Sequence, residues 1–359
     1  MKINVTRTSL PPFEEFCEQI RPLWDSHILT NMGPLHQDFT DALERMLGCR
    51  VTLFSHGHLA LEAVLRSLGL RPGCKIVTSP FTFVSTVHAI VRLGFEPLFC
   101  DVLASDGTMS PEALERLMGP DVGAILPVHV YGNVCDVEAI RNIACRWGVP
   151  VVYDAAHAFG VQYRGRSVVQ YGDASVLSFH ATKVFSTVEG GAVCCGEGPM
   201  IQALKDERNF GIRDELVCSS AGGNGKLNEL QAAMGLCNLR HFGQALQSRE
   251  RLTSVYRKRL AGAVDFFSVR PGASSNYSYM PVLLGSVQKR DALADALERE
   301  GVHARKYFFP LACDALCYNY LPADVPVARS LSERVLTLPL YEGLGEEDVE
   351  RICSAALSL

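Results

Sequence analysis

The chain has 359 residues, of which 48% are hydrophobic, and this length exceeds the size at which a single hydrophobic core usually stops growing. We therefore expect one large and one small domain, divided as residues 1–250 and 251–359. The formal charge of -5, without long blocks of like charge, argues against nucleic acid or an anionic membrane as partner, so the expected partner is a small molecule or another copy of the chain.

The thirteen cysteines predict reduced thiols. Their number is odd, the chain is long, and residues 1–10 contain no apolar run that resembles a signal peptide, so we expect a cytoplasmic protein. No apolar stretch approaches the ~20 residues that cross a membrane. Neither Cys194 with Cys195 nor Cys313 with Cys317 has a second ligand pair at zinc spacing, so core packing is expected there and no metal site.

Short apolar runs alternate with helix-like stretches between about residues 50 and 196. The clearest runs are residues 75–77, 97–99, 124–126, 151–153 and 176–179. Apolar strands with intervening helices predict an α/β three-layer sandwich around a mostly parallel sheet. Because ligands bind beyond the carboxyl ends of the strands in such sheets, the functional residues should directly follow the apolar runs.

Beyond Gly196 the sequence changes to longer helical patterns. Two of them cover residues 227–239 and 249–260, and they are followed by further patterned segments at 279–284, 290–300 and 335–338. This order predicts a connecting helix and a smaller C-terminal α+β domain.

Lys183 is the only lysine between Lys75 and Lys205, and it lies in a turn that leaves an apolar strand. A lysine that forms a Schiff base must be held near groups that lower its pKa or position it, which favours a cleft at a strand end. On spacing alone, a lysine that extends from a solvated loop fits equally well. The interpretation of Lys183 therefore depends on its neighbours.

Asp154 directly follows the apolar run 151–153, so it should lie at the carboxyl end of that strand. A carboxylate in this place could simply cap the next helix. Together with Lys183 it has a more specific use, because pyridoxal phosphate works best while its ring nitrogen is protonated and an acidic partner keeps it so. The pair of residues at two strand ends predicts a pyridoxal-phosphate site.

Ser178 and the turn formed by Gly57 and His58 are candidate phosphate ligands. A hydroxyl and exposed amides at a helix N-terminus meet an anion with hydrogen bonds and a favourable dipole. Ordinary turn chemistry explains each residue separately. Only their joint occurrence with Lys183 and Asp154 favours a phosphate site.

Several separated motifs resemble one family over nearly the whole chain. They are residues 154–160 (DAAHAFG), 172–173, 178–183 (SFHATK) and 189–193, together with residues 30–34, 80–86, 127–132, 224–235 and 338–341. In this order they resemble the DegT/DnrJ/StrS family of sugar aminotransferases, within the fold-type I pyridoxal-phosphate enzymes.

The resemblance implies roles for individual residues. Lys183 would form the Schiff base with pyridoxal phosphate and move the proton between substrate and cofactor carbons, while Asp154 would hold the ring nitrogen. Phe83 would stack on the pyridine ring, with ordinary core packing as the alternative. Ser178 would bind the phosphate, and Asn224 would approach it from the other subunit. The resemblance thus implies a homodimer with shared active sites.

The sequence also departs from the family pattern near the cofactor. His157 stands where many relatives have glutamine near the ring oxygen of the cofactor, which keeps hydrogen bonding but adds a group that titrates near neutrality. His58 stands where threonine is common. The backbone amides of Gly57 and His58 therefore remain the candidate phosphate ligands in that turn.

The expected reaction is transamination from an amino acid, with glutamate as the expected donor, to a nucleotide-linked keto sugar. The acceptor is expected to be a 4-keto-6-deoxyhexose; the alternatives are a 3-keto sugar and a non-catalytic regulatory protein that keeps the fold. Family members that act as dehydratases have histidine in place of the lysine, and Lys183 argues against that branch. Lys306 and Tyr307 lie in a segment that resembles a substrate-facing part and suits a diphosphate, with a solvated basic loop as the alternative.

Overall fold

The computed structural model describes residues 2–215, 217–318 and 323–358. The α-helices of this part are α1 (Phe13–Ile20), α2 (Leu23–Ser26), α3 (Pro34–Leu47), α4 (Gly57–Ser67), α5 (Val84–Arg92), α6 (Pro111–Leu117), α7 (Val137–Trp147), α8 (Pro199–Arg208), α9 (Glu229–Arg259), α10 (Val287–Arg299), α11 (Pro326–Arg334) and α12 (Glu346–Leu357).

The strands of the described part are all short. They are β1 (Ile3–Asn4), β2 (Arg50–Phe54), β3 (Lys75–Thr78), β4 (Glu96–Phe99), β5 (Val122–Leu126), β6 (Val152–Asp154), β7 (Gln162–Tyr163), β8 (Arg166–Ser167), β9 (Ala174–Ser178), β10 (Gly191–Cys195), β11 (Ile212–Asp214), β12 (Val217–Cys218), β13 (Asp265–Phe266), β14 (Met280–Leu283), β15 (Val302–His303) and β16 (Val335–Leu338). The five apolar runs predicted as strands are β3, β4, β5, β6 and β9.

One twisted sheet organises the first two thirds of the chain. A four-stranded part, β2-β10-β9-β6, and a three-stranded part, β5-β3-β4, are joined by parallel bridges between Ile125 and Val151 and between Val128 and Asp154. Within this sheet of the described residues only β10 runs antiparallel to its neighbours. The predicted α/β fold with a mostly parallel sheet is confirmed.

Successive residues of the central strands enter two different cores. Val152 belongs to the cluster under α4 and α5, whereas Tyr153 belongs to the cluster on the opposite face. In β9, Val176 and Leu177 divide in the same way. Because strand side chains alternate between faces, a strand buried on both faces reads as a continuous apolar run, and helices must cover both sides. The three layers follow from this pattern.

The long helix α9 joins the sheet to the C-terminal elements. It begins at a capping box in which Asn228 and Gln231 satisfy each other's backbone amides, and it continues for 31 residues. The two helical patterns predicted at 227–239 and 249–260 are therefore parts of one helix. No helix among the described residues is long and apolar enough to cross a membrane.

A second core lies beyond the middle of α9. Leu252 and Tyr256 of that helix are fully buried against the antiparallel sheet β13-β14-β16 and helices α10 and α12. Strand β1 near the start of the chain pairs with β15, so residues 3–4 also join this part. The division after residue 250 falls inside α9 and stays a prediction.

Candidate active site

A cavity of about 440 Å³ opens at the carboxyl ends of β6 and β9. This volume is within the usual range for small-molecule sites. Most of the residues predicted for the site line it, namely Gly57, His58, Phe83, Asp154, His157, Ser178, Lys183 and Tyr307. The fold brings them together from four separate segments of the sheet body and one segment of the C-terminal part.

Asp154 is the last residue of β6 and is only 5% exposed. Its Oδ2 accepts a 2.7 Å hydrogen bond from the hydroxyl of Thr86, and its Oδ1 accepts a 3.1 Å bond from the backbone N–H of Ala156. Burial raises the pKa of Asp154, while these two hydrogen bonds and the charge of Lys183 act in the opposite direction. The next element after β6 in the described chain is β7, so the alternative of a helix cap is wrong; Oδ1 makes a local contact two residues ahead, and the carboxylate faces the cavity.

Lys183 lies in a tightly closed loop between β9 and β10. Its backbone N–H donates to the carbonyl of His180 at 2.9 Å, and the hydroxyl of Thr8 in the N-terminal segment donates to the carbonyl of Ala181 at 2.9 Å. The base of the loop is closed where Phe179 donates to the carbonyl of Gly190. These bonds fix the backbone from which the half-buried Lys183 side chain reaches the cavity.

The first turn of α4 lies directly against the end of β9. A Cβ placed on Gly57 would come within 3.0 Å of the Cβ of Ser178 and 3.2 Å of its hydroxyl, which is closer than packed atoms normally approach. A Cβ on Gly191 would lie 2.5 Å from the nitrogen of Gly57. This close approach needs glycine, and it sets a helix N-terminus beside a serine hydroxyl at the cavity wall.

The ring of His58 is held within the protein. Its Nδ1 lies 2.9 Å from the hydroxyl of Ser85, and its Nε2 lies 3.2 Å from a carboxylate oxygen of Glu62. Burial lowers the pKa of His58, with smaller opposing and supporting contributions from nearby charges. The ring is therefore satisfied by its neighbours on α4 and α5, and the backbone amide of His58 remains the candidate group for an anion.

An aromatic wall closes the remaining sides of the cavity. Phe83 stands immediately before α5 and is 57% exposed, so the alternative of ordinary core packing is wrong for this residue. On the other side, His157 lies with its ring centre 5.0 Å from that of Tyr279 and 5.8 Å from that of Phe308. The exposed face of Phe83 is available to a flat ligand.

Two predicted residues lie outside the lining of this cavity. The ammonium group of Lys306 forms an ion pair with Asp291 of α10 at 2.6 Å. The side-chain oxygen of Asn224 accepts a 2.6 Å hydrogen bond from Lys226. Their roles toward a substrate and toward a partner subunit stay predictions, whereas Tyr307 does line the cavity.

Sequence reasoning missed several lining residues. Thr86, the hydrogen-bond donor to Asp154, was signalled only by the family resemblance of residues 80–86. Tyr279 enters from the C-terminal part of the chain, and no spacing pattern connects it with the sheet. His180 and Glu189 also line the cavity, and Nε2 of His180 lies 3.5 Å from Oε1 of Glu189.

Comparisons with known proteins agree with this geometry. The chain is 39% identical to dTDP-4-amino-4,6-dideoxy-D-glucose transaminase of Shigella dysenteriae, over 98% of this chain and 97% of that protein. It is 35% identical to the transaminase of the same name from Escherichia coli, over 99% and 98%. The crystal structure of DesI in the presence of its TDP-sugar product superposes with a TM-score of 0.94 at 29% identity, covering 99% of this chain and 92% of that one. The sequence profile of the DegT/DnrJ/EryC1/StrS aminotransferase family matches residues 13–357, and the chain belongs to that family.

Proposed function

We propose that this protein is a pyridoxal-phosphate-dependent aminotransferase that moves an amino group from glutamate to the C4 ketone of a dTDP-linked 6-deoxyhexose. The observation that carries the proposal is the buried carboxylate of Asp154 in the same cavity as Lys183. Two relatives that match almost the whole chain are named as transaminases of a dTDP-4-amino-4,6-dideoxy sugar. A transaminase of that amine interconverts it with the corresponding 4-ketone, which supports the choice of acceptor.

The residues of the cavity fit pyridoxal phosphate at three of its functional groups. A buried carboxylate suits a cationic ring nitrogen, the N-terminus of α4 with the Ser178 hydroxyl suits a phosphate, and Lys183 suits an aldehyde. When bound, the cofactor supplies an electron sink and carries the amino group between the two substrates. We assign the phosphate to the backbone amides of Gly57 and His58 and to Ser178.

Asp154 holds a proton on the ring nitrogen in this proposal. A carboxylate that is 5% exposed is costly without a cation, because burial disfavours its charged form. A protonated ring nitrogen beside it offsets that cost and is in turn stabilised by the carboxylate. Thr86 and the N–H of Ala156 keep the two oxygens oriented.

Lys183 moves the proton at the substrate carbon that gains the amino group. The closed loop keeps its side chain directed into the cavity, and Phe83 offers a flat apolar surface for the pyridine ring. The retained pair of Lys183 and Asp154 favours turnover over a non-catalytic role. Both groups would be unnecessary in a protein that only keeps the fold.

Substrate binding and assembly complete the proposal. Tyr307 lines the cavity, and the neighbouring Lys306 is held by Asp291 with its side chain 38% exposed, so we assign these two residues to the diphosphate side of the sugar nucleotide. Asn224 is assigned to the phosphate in the active site of a second copy of the chain. The proposed working unit is a homodimer with shared sites.

The direct test is to incubate the purified protein and pyridoxal phosphate with glutamate and dTDP-4-keto-6-deoxyglucose. We expect 2-oxoglutarate and a dTDP-amino sugar, measured by mass spectrometry, and neither product with Lys183→Ala. Product formation from a 3-keto isomer only would contradict the assigned acceptor. Failure with every keto sugar, in protein that binds the cofactor, would favour the regulatory alternative.

A further inference from the structure

The ring of His157 faces the cavity on one side and the protein backbone on the other. Its Nδ1 accepts a 3.1 Å hydrogen bond from the backbone N–H of Tyr131, and the residue is only 6% exposed. A backbone amide is always a donor, so the nitrogen that faces it must carry a lone pair and no proton. In a neutral imidazole the single proton is then on Nε2, the nitrogen for which no partner is present among the residues that the structure describes.

The amide of Tyr131 is fixed in its direction. Tyr131 has φ +57°, the left-handed conformation that costs energy for a residue with a Cβ, and it lies in the short turn Val130–Gly132 after β5. Its hydroxyl donates to the carbonyl of Tyr307, and its ring packs edge-on against Phe81 at 5.9 Å. A residue anchored at both ends in this way keeps its N–H directed at His157.

The backbone of His157 is also held from the C-terminal part of the chain. The side-chain amide of Asn276 donates to the carbonyls of His157 at 2.8 Å and Phe159 at 2.9 Å, and the hydroxyl of Ser278 donates to the His157 carbonyl at 2.6 Å. Asn276 is 1% exposed and Ser278 is 4% exposed. Two buried side chains therefore determine where the imidazole stands.

We propose that Tyr131 and Asn276 are positioning residues that hold His157 as its neutral Nε2–H tautomer, so that this wall always presents a hydrogen-bond donor to the ligand. The proposal deepens the proposed function and rests on it in one respect: the acceptor of that bond is the ring oxygen of pyridoxal phosphate. An imidazolium would carry a second proton on Nδ1, directed at the N–H of Tyr131, and the geometry disfavours it.

The surroundings of His157 act in the same direction. Burial lowers the pKa of His157 well below its ordinary value, and the charge of Lys183 lowers it further. The groups that face the ring are Lys183 across the cavity, the phenols of Tyr131 and Tyr279, and the apolar ring of Phe308. Asp154, the acid of the same cavity, is held by Thr86 and Ala156. The imidazole of His157 should therefore stay uncharged throughout the neutral pH range.

The tautomer is measured without the cofactor. Protein labelled with ¹⁵N-histidine is followed by NMR between about pH 6 and 9, where a free histidine titrates near 6.5, and the signals of His157 are assigned by their loss in His157→Gln. We expect a proton on Nε2, an unprotonated Nδ1 and no titration. In Asn276→Ala the same signals should show a mixture of tautomers. A proton on Nδ1, or an ordinary titration in the wild type, would overturn the proposal.

The donor role is measured by the visible absorption of protein loaded with pyridoxal phosphate. A donor at the ring oxygen withdraws negative charge from beside the Lys183 nitrogen, so its loss should raise the pH midpoint of the visible band. His157→Gln keeps one acceptor and one donor and should keep the midpoint, whereas His157→Leu should raise it by about one unit or more. An unchanged midpoint in the leucine variant would overturn the donor role.

The two measurements separate the two proposals. If the Nε2–H tautomer is found but no visible band forms in the wild type, the proposed function fails and the positioning role of Tyr131 stands. If the band forms and depends on Lys183 while His157 titrates normally, the proposed function stands and the tautomer proposal is overturned. If His157→Leu fails to fold, His157→Gln still tests the donor role, because it should keep the midpoint of the wild type.

Discussion

The hydroxyl of Thr86 donates a 2.7 Å hydrogen bond to Oδ2 of Asp154, and it joins the first turn of α5 to the end of β6. The hydroxyl oxygen of Thr82 lies 2.9 Å from that of Thr86 and extends the chain of hydrogen bonds. The carboxylate is thus oriented by the protein before any ligand arrives. Among the described residues no cation forms an ion pair with this carboxylate, and the positive charge that acts on its pKa is that of Lys183 across the cavity.

Asp154→Asn should weaken activity and stabilise the protein without cofactor. Burial raises the pKa of Asp154 in the folded protein above its unfolded value, so ionisation costs stability as the pH rises through the folded pKa. The amide removes this cost, and we expect a gain of roughly 1 to 3 kcal/mol in unfolding free energy at pH 8. Denaturant unfolding of the protein without cofactor at pH 4 and pH 8 measures it.

The gain should be smaller at pH 4, because the carboxyl of the unfolded chain, with an ordinary pKa of ~3.9, is then about half protonated, and the raised pKa keeps the folded carboxyl at least as protonated. The same variant should lose roughly 100-fold or more in kcat with pyridoxal phosphate, because an amide cannot keep the ring nitrogen protonated. If Asp154→Asn is less stable at pH 8 than the wild type, the claim that this carboxylate is a buried charge without a cationic partner is refuted.

Gly57→Ala should weaken cofactor binding. Its methyl group would lie 3.0 Å from the Cβ of Ser178, so either α4 or the end of β9 must shift. A shift of a few tenths of an ångström at a phosphate site should raise the Kd of pyridoxal phosphate about tenfold, which corresponds to ~1.4 kcal/mol. Fluorescence titration of the protein without cofactor measures this Kd.

Gly243→Ala is the matched control. This glycine lies within α9, and an added methyl group meets no atom of the described residues within 4 Å. The variant should bind the cofactor as the wild type does and gain up to about 1 kcal/mol of stability from helix propensity. Equal losses of affinity in both glycine variants would mean that the contact between Gly57 and Ser178 has no special role.

Lys306→Ala should raise the KM for the sugar nucleotide by about 10- to 100-fold and leave kcat largely unchanged. A charge-assisted hydrogen bond to a diphosphate contributes about 1.5 to 3 kcal/mol, and its loss affects ground state and transition state alike. Lys289 is an exposed lysine on α10 and provides a control, since Lys289→Ala should change neither parameter. An unchanged KM in Lys306→Ala would assign this lysine only to its ion pair with Asp291.

Shared active sites predict complementation between two inactive variants. In a homodimer with Lys183→Ala in one subunit and Asn224→Ala in the other, one of the two sites keeps both native residues. Random mixing of such subunits should restore about a quarter of wild-type activity from two preparations that are each nearly inactive. Activity of the mixture that only equals the mean of the two preparations would contradict the assignment of Asn224 to a neighbouring subunit.

The sheet and its ligand-binding end were predictable from the sequence for a simple physical reason. Strands buried on both faces must be apolar throughout, and the residues that follow them reach the same edge, which brought Asp154 and Ser178 together. Hydrophobic periodicity did not predict that the two helical patterns form the single helix α9. Arg240 and His241 interrupt its apolar pattern, because Arg240 forms an ion pair with Glu15 of α1, Nε2 of His241 lies 2.6 Å from the same carboxylate, and neither side chain enters a core.

The contacts that orient the site side chains are long-range and leave no local pattern. Thr86 and Asp154 are 68 positions apart, and Tyr131 and His157 are 26 apart. The ion pair of Lys306 depends on Asp291 of another element, so a basic segment predicted to face substrate also has a structural partner. Such pairs are determined by the packing of whole elements, and only the folded chain reveals them.

The central claim is tested most directly by absorption spectra of wild type and Lys183→Ala with pyridoxal phosphate, before and after addition of glutamate. We predict a visible band that requires Lys183 and that glutamate bleaches in the wild type, which would establish the cofactor, the lysine and the amino donor together. A wild-type protein without a lysine-dependent band would contradict the account and favour a protein that keeps this fold without its chemistry.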